Sequence, residues 1–281
     1  FKIIHTVFED KMKNQLKLCV LGASGRMGST IISEALESKR VMLHSVSEIK
    51  SHKWVGRDIG QIFNGKNNNV IVSDNLHESL KGSDAVIDFT QPANTVFCSN
   101  LCATLGVAHI IGTTGFNENQ ENEILTSSRK IPIVKAGNMS LGINILTKLV
   151  EKVAKSLDLD FDVEILEMHH RNKVDAPSGT ALMLGESVAF ARGKKLSDLA
   201  SYNKEGISGI REKGKIGFAS LRGGGVIGEH EVIFASENEK ISIKHEALSR
   251  NIFANGAIKA AIWALGKDPG LYDMSDVLGI K

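Results

Sequence analysis

The sequence predicts an α/β protein in which a doubly wound parallel-sheet domain is joined to an α+β domain with a mostly antiparallel sheet. Up to Met139, short apolar runs alternate with helical patterns, the order that builds a parallel sheet. A glycine-rich turn separates the first apolar run from the first helix. After Ser140, long strand candidates follow one another with few helices between them, which favours antiparallel pairing. The chain has 281 residues, enough for one large or two medium domains. The expected division is a dinucleotide-binding domain over 1–140, completed by the C-terminal segment 250–281, and a substrate-binding domain over 141–249.

The run from Leu16 to Leu21 reads as a buried strand, and a helix follows the glycine turn over roughly Met27 to Ser38. Val41 to Val46 is the second strand, and Asn64 to Asn69 is a loop. Asp84 to Phe89 is another strand. Pro92 opens a helix at the first-turn position, where its missing N–H costs nothing. His109 to Ile111 is a strand ending in Gly112, Asn117 caps a helix reaching about Lys130, and Ile131 to Val134 is a short strand. Beyond Ser140 come a helix from about Gly142 to Ser156, a strand from Asp162 to His169, and a helix through Ala181 to Glu186. Three further strands are expected: Ile216 to Leu221, Val226 to Ala235 and Lys240 to His245. A helix from Asn251 to Leu265, with Ala257, Ala260, Ala261 and Ala264 on compatible faces, is expected to return to the first domain.

Composition excludes several function classes. Apolar content of 42% with 23% charged residues is that of a soluble globular enzyme. A net charge of +2 gives no field for nucleic acid or an acidic membrane. No apolar run has the length of a membrane span, and Phe1 to Gln15 lack the apolar core of a signal peptide. Met12 closely precedes the first strand and is a candidate start. Three cysteines with no Cys-x-x-Cys pair fit a reducing compartment; Cys98 and Cys102 share a helix face and read as buried core thiols.

The turn Gly22, Ala23, Ser24, Gly25, Arg26, Met27, Gly28 places glycines at spacings of three, directly after a strand and at the start of a helix. Glycine there lets the backbone approach a pyrophosphate, whose charge meets the helix N-terminus. Glu48, at the end of the second strand, is placed to accept hydrogen bonds from a ribose diol. Together these read as a Rossmann-like dinucleotide site. Arg26 is placed to contact a phosphate, to contact an adenine face, or to stay solvated. Glu48 repels a 2′-phosphate, whereas Lys50, Lys53 and Arg57 attract one, so NADH and NADPH both stay open as cofactors. Gly112, Thr113 and Thr114 follow a strand of the same sheet and are candidates for the nicotinamide ribose or carboxamide. Ala136, Gly137, Asn138 and Met139 are candidates for closing over the nicotinamide.

The densest chemistry lies between Glu167 and Ala181. His169 and His170 stand at a strand end, where alternation sends them to opposite faces, so joint chelation of one metal is not expected. Glu167 shares a face with His169 and is placed to orient an imidazole. Lys173 is a proton donor or an oxyanion holder. Asp175 orders the loop, Pro177 restrains it, and Ser178 caps the next helix, whose N-terminal groups at Gly179 and Thr180 form a carboxylate receptor. The reading is hydride delivery to a small anionic substrate, with His169 and Lys173 supplying the balancing proton. No cysteine lies near this motif, which disfavours acylating chemistry.

The pattern Glu167-x-His169-His170-x-x-Lys173-x-Asp175-Ala176-Pro177-Ser178-Gly179-Thr180-Ala181 resembles the signature of the 4-hydroxy-tetrahydrodipicolinate reductase (dihydrodipicolinate reductase) family. The resemblance runs from Lys17 onward. It includes the Gly22–Gly28 turn, Val86 to Thr90, Ile111 to Phe116, Gly217 to Ala219, Gly228 to His230 and Phe253 to Ala257. It implies reduction of a cyclic imine-type dicarboxylate by NADH or NADPH, in lysine and diaminopimelate biosynthesis. It implies proton transfer by His169 and Lys173, and substrate binding by His170, Ser178, Gly179 and Thr180. Cofactor contacts are implied at residues 22–27, Glu48, 112–114 and 136–139. A cytoplasmic homotetramer built through the C-terminal sheets is also implied. Two positions depart from the pattern: Ile49 stands where many members have arginine, and Met139 where many have Phe or Tyr.

Overall fold

The computed structural model describes residues 15–202, 206 and 209–280. Met12 and the segment before Gln15 lie outside them. The chain divides into two compact units: the described residues up to Met139 with Asn251–Gly279, and Ser140–Arg250.

The first unit begins with β1 (Leu16–Leu21), α1 (Arg26–Glu37) and β2 (Val41–Ser47), then α2 (Ile59–Phe63), β3 (Val72–Ser73) and α3 (Leu76–Leu80). It continues through β4 (Ala85–Asp88), α4 (Pro92–Leu105), β5 (Ala108–Ile111), α5 (Glu118–Ser128) and β6 (Pro132–Lys135). The second unit holds α6 (Leu141–Ser156), β7 (Asp162–His169), α7 (Gly179–Ala191), α8 (Leu196–Leu199), β8 (Ala200–Ser201), β9 (Ile216–Arg222), β10 (Glu229–Ala235) and β11 (Lys240–Glu246). The chain then returns to the first unit with α9 (Asn251–Ala264), β12 (Gly270–Tyr272) and α10 (Met274–Leu278).

The first unit's sheet has seven parallel strands in the order β12-β6-β5-β4-β1-β2-β3. Strand order reverses between β1 and β4, so a crevice opens at the carboxyl ends of these two strands. β4 and β5 are buried at every position, as strands covered on both faces must be. Small residues let α9 close onto this sheet: a Cβ on Gly256 would lie 1.8 Å from the Met139 carbonyl oxygen. Cys19, Cys98 and Cys102 are free and buried. The short elements α2, β3 and α3 were not expected. Asp58 organises α2, accepting from the N–H groups of Gly60, Gln61, Asn68 and Asn69.

The second unit's sheet has the order β11-β10-β7-β9-β8. The expected antiparallel pairing holds for β10 with both neighbours, whereas β7 with β9 and β8 with β9 are parallel, so the sheet is mixed. For β7 and β9 the physical reason is the helical segment between them, which gives the crossover a parallel pair requires. Strand register puts inward-facing residues in rows. Ile216, Val163, Phe234 and Ile241 form one, and Phe218, Ile165, Val232 and Ile243 the next. These rows pack against Leu146 and Val150 of α6 and Leu184 and Val188 of α7. The third row is polar: Ser220, Glu167, His230 and His245. Apolar rows are thus core, and the polar row begins the site.

Candidate active site

In the first unit the glycine turn is shaped by contacts that no side chain could share. Gly22 has φ +64°, and a Cβ on Gly28 would lie 2.0 Å from the Gly22 carbonyl oxygen. The Gly25 N–H closes the turn on the Gly22 carbonyl at 2.9 Å. Gly25 is also the N-cap of α1, with no side chain capping that end and no acidic residue in its first turn. A helix start of this kind offers N–H groups and a positive dipole end to an anion, so the turn fits a pyrophosphate. Ala23 is buried, Ser24 and Met27 are half-buried, and Gly25 and Arg26 are exposed.

Glu48 accepts from the Ser24 N–H at 2.8 Å and from the Ile49 N–H at 2.8 Å. Burial pushes its pKa up, but the hydrogen bonds from Ile49 and Ser24 outweigh this, and the carboxyl lies below its ordinary value. The acid therefore braces the glycine turn. A cavity of about 460 Å³ opens here at the β1/β4 crevice, lined by Gly22, Ser24, Gly25, Glu48, Lys50 and Asp74 among others. This is within the size range of small-molecule sites.

The loops after β5 and β6 stand along the same carboxyl edge. A Cβ on Gly112 would lie 2.1 Å from the Phe89 ring, so glycine is required beneath that ring. Thr113 is buried, and its hydroxyl receives a hydrogen bond from Thr95 at 3.0 Å, so its side chain serves the core. Thr114 and Gly137 are exposed, Ala136 and Asn138 half-buried, and Met139 buried. A Cβ on Gly137 would sit 4.0 Å from the Thr114 methyl, which puts the two loops side by side. Behind them, His109 contacts Ser99 at 3.0 Å and faces Asp88 at 3.4 Å. Among the described residues, Cys98, Cys102 and His109 are one group with metal-ligand chemistry. The hydrogen bond to Cys102 and burial both raise the Cys98 pKa, so it packs as a thiol.

In the second unit, Glu167 is 1% exposed and both of its carboxylate oxygens are hydrogen-bonded. Oε2 binds His169 Nδ1 at 2.6 Å and Arg222 Nη1 at 2.8 Å; Oε1 binds Arg222 Nη2 at 2.7 Å and the Ser178 N–H at 3.2 Å. Burial raises the Glu167 pKa, yet hydrogen bonds from His169, Arg222 and Ser220 prevail and hold it at about 2. His230 bonds the Ser178 hydroxyl at 3.0 Å and meets the His169 ring edge-on at 5.1 Å. Burial, then neighbouring His169, push the His230 pKa down to about 3, so it is neutral. Space at His169 Nε2 is preserved by Gly228, where a Cβ would lie 3.0 Å from that nitrogen.

Lys173 turns back through its N–H to the His170 carbonyl at 3.1 Å, and its ammonium pairs with Asp175 at 2.8 Å. His170 keeps a buried Nδ1 without a hydrogen-bond partner. Ser178 caps α7 by accepting from the Ala181 N–H at 3.2 Å, and Gly179 and Thr180 form the first turn of that helix. The structure therefore gathers Glu167, His169, Lys173 and Ser178 into one network. Two of its members, Arg222 and His230, were not assigned from sequence. The detectable signal was alternation: His230 occupies an inward position on a strand whose other inward residues are Val232 and Phe234.

The family model described as "Dihydrodipicolinate reductase, N-terminus" matches residues 16–139, and "Dihydrodipicolinate reductase, C-terminus" matches residues 142–278. The 4-hydroxy-tetrahydrodipicolinate reductase of Roseobacter denitrificans is 47% identical over 96% of this chain and 99% of its own length. The enzyme of that name from Dinoroseobacter shibae is 49% identical over 94% of this chain and 98% of its own length. Among solved structures, dipicolinate-bound dihydrodipicolinate reductase from Paenisporosarcina sp. TG-14 superposes with a TM-score of 0.72 at 26% identity, covering 92% of this chain and 97% of that one. An amine dehydrogenase from Mycobacterium smegmatis, 12% identical with a TM-score of 0.65, covers 91% of this chain and 94% of its own and shares the fold. The first unit is a nicotinamide-dinucleotide domain of Rossmann-like architecture, and the chain is an oxidoreductase that belongs to the dihydrodipicolinate reductase family.

Proposed function

We propose that the chain reduces 4-hydroxy-tetrahydrodipicolinate with NADH or NADPH, and that His169 and Lys173 handle the proton. The observation that carries this reading is the Glu167–His169 contact beside Lys173, on a chain 47% identical to a relative of that name. The bound cofactor supplies a hydride to a ring carbon conjugated with the imine. The Gly22–Met27 turn and the α1 N-terminus would hold its pyrophosphate, and Glu48 would meet its ribose. Residues 112–114 and 136–139 line the approach to its nicotinamide, with Thr113 contributing through backbone because its hydroxyl is committed to Thr95.

His169 Nδ1 is held on Glu167, so Nε2 is the atom left to exchange a proton. Lys173 donates from its ammonium once substrate draws it from Asp175. His170, Ser178, Gly179 and Thr180 bind the carboxylates, the last two at the positive end of α7. Glu48 and Asp74 in the cavity disfavour a 2′-phosphate and Lys50 favours one, so both cofactors are used. We also propose a homotetramer formed through the second sheet. The face opposite α6 and α7 carries rows of its own: Glu164, Ile233 and Ser242 form one, and Leu166, Glu231 and Lys244 the next.

Dipicolinate, bound by the Paenisporosarcina relative, is the probe for the substrate half of this reading. It is expected to inhibit competitively against the cyclic substrate, and His170→Ala is expected to weaken it roughly tenfold, about 1.4 kcal/mol. Inhibition constants equal in both proteins would remove His170 from the substrate site.

A further inference from the structure

Arg222, at the end of β9, is tied to both proton-handling groups through one intermediary each. Its two terminal nitrogens grip the two oxygens of Glu167 at 2.8 and 2.7 Å. Glu167 in turn holds His169 Nδ1 at 2.6 Å. Arg222 Nη2 also donates to the Asp175 carbonyl at 2.7 Å, and the Asp175 carboxylate holds Lys173 Nζ at 2.8 Å. Strand register sets this up, since His169 lies opposite Arg222 and Glu167 opposite Ser220 on adjacent parallel strands.

The chemistry of each partner fixes what the network does. An ionised carboxylate only accepts, so the nitrogen facing it must carry hydrogen. His169 is therefore Nδ1-protonated whether neutral or charged, and its exchangeable position is Nε2. A buried carboxylate needs a compensating charge, and the planar fork of arginine supplies it with fixed geometry. We propose that Arg222 and Glu167 are positioning residues that set the tautomer of His169 and tether the loop carrying Lys173. This rests on the proton-transfer reading of His169 and Lys173.

The test uses the full chain with Glu167→Gln, Arg222→Lys and, for reference, His169→Gln. In Glu167→Gln the amide oxygen turns to Arg222 and the amide nitrogen faces His169, favouring the opposite tautomer. Turnover is expected to fall about 100-fold or more, as when a triad aspartate is replaced by its amide. The KM for reduced cofactor is expected to stay within about twofold, because that site lies in the other unit. Nitrogen-15 NMR is expected to report His169 with hydrogen on Nδ1 in the wild type and on Nε2 in Glu167→Gln. Arg222→Lys retains the charge without the fork and is expected to lose roughly tenfold in kcat; it keeps the test open should Glu167→Gln fail to fold. Folded variants with wild-type kcat and an unchanged His169 tautomer would overturn the positioning role, provided His169→Gln is inactive. If His169→Gln itself kept wild-type turnover, the reading of His169 would fall, and the positioning role with it.

Discussion

Lys173→Ala is expected to lower kcat by roughly 10²- to 10⁴-fold, the range for removing a positioned general acid, while the affinity for reduced cofactor stays unchanged. The separation follows from placement. Lys173 stands in the loop after β7, whereas the glycine turn, Glu48 and their cavity belong to the first unit. Lys173→Arg refines the test. A guanidinium keeps the positive charge yet does not release a proton at neutral pH. If Lys173 acts by charge alone, the arginine variant recovers most of the rate. If it donates the proton, KM for substrate recovers while kcat stays low. Steady-state rates and a fluorescence titration of bound reduced cofactor read both quantities. Equal losses of turnover and cofactor affinity in Lys173→Ala would reject the assigned role.

Gly28→Ala is expected to cost about 3 kcal/mol of stability, the upper part of the overpacking range, and to weaken cofactor binding about 100-fold. A Cβ there would lie 2.0 Å from the Gly22 carbonyl oxygen and 2.8 Å from its carbon. Both are backbone atoms, so no rotamer change relieves the clash; the turn must open or α1 must shift. Either motion moves the N–H groups meant for the pyrophosphate. Gly225→Ala is the matched control, since its Cβ would meet nothing within 4 Å. That variant is expected to stay within about 0.5 kcal/mol of the wild type. Urea unfolding with a cofactor titration on both variants decides the matter. A stable Gly28→Ala with normal affinity would contradict the close-approach account.

The parts most legible in the sequence were those with strong local signals. β1 and β7 begin and end where the sequence places these strands, Leu16–Leu21 and Asp162–His169. Asn117 forms a capping box with Gln120 at the start of α5, and Ser178 caps α7. Glu167 and His169 share a face and are in contact at 2.6 Å. Other features depend on distant partners or carry no periodic pattern. β3 is two residues long and rests on pairing with β2, whereas α2 and α3, five residues each, have local caps in Asp58 and Asn75 but are too short for a periodic pattern. β10 starts at Glu229 rather than Val226. Thr113 reads as a ligand hydroxyl until Thr95 is found against it. Arg222 lies 55 positions from Glu167 in sequence, so only strand register brings them together.

The most direct test of the central claim is oxidation of NADH and of NADPH, followed separately, by the purified chain with freshly generated 4-hydroxy-tetrahydrodipicolinate. The account predicts rapid oxidation strictly dependent on that substrate, with both cofactors used and both rates lowered about 100-fold or more in Lys173→Ala. Folded protein that binds the cofactor but oxidises neither form in the presence of this substrate would contradict it.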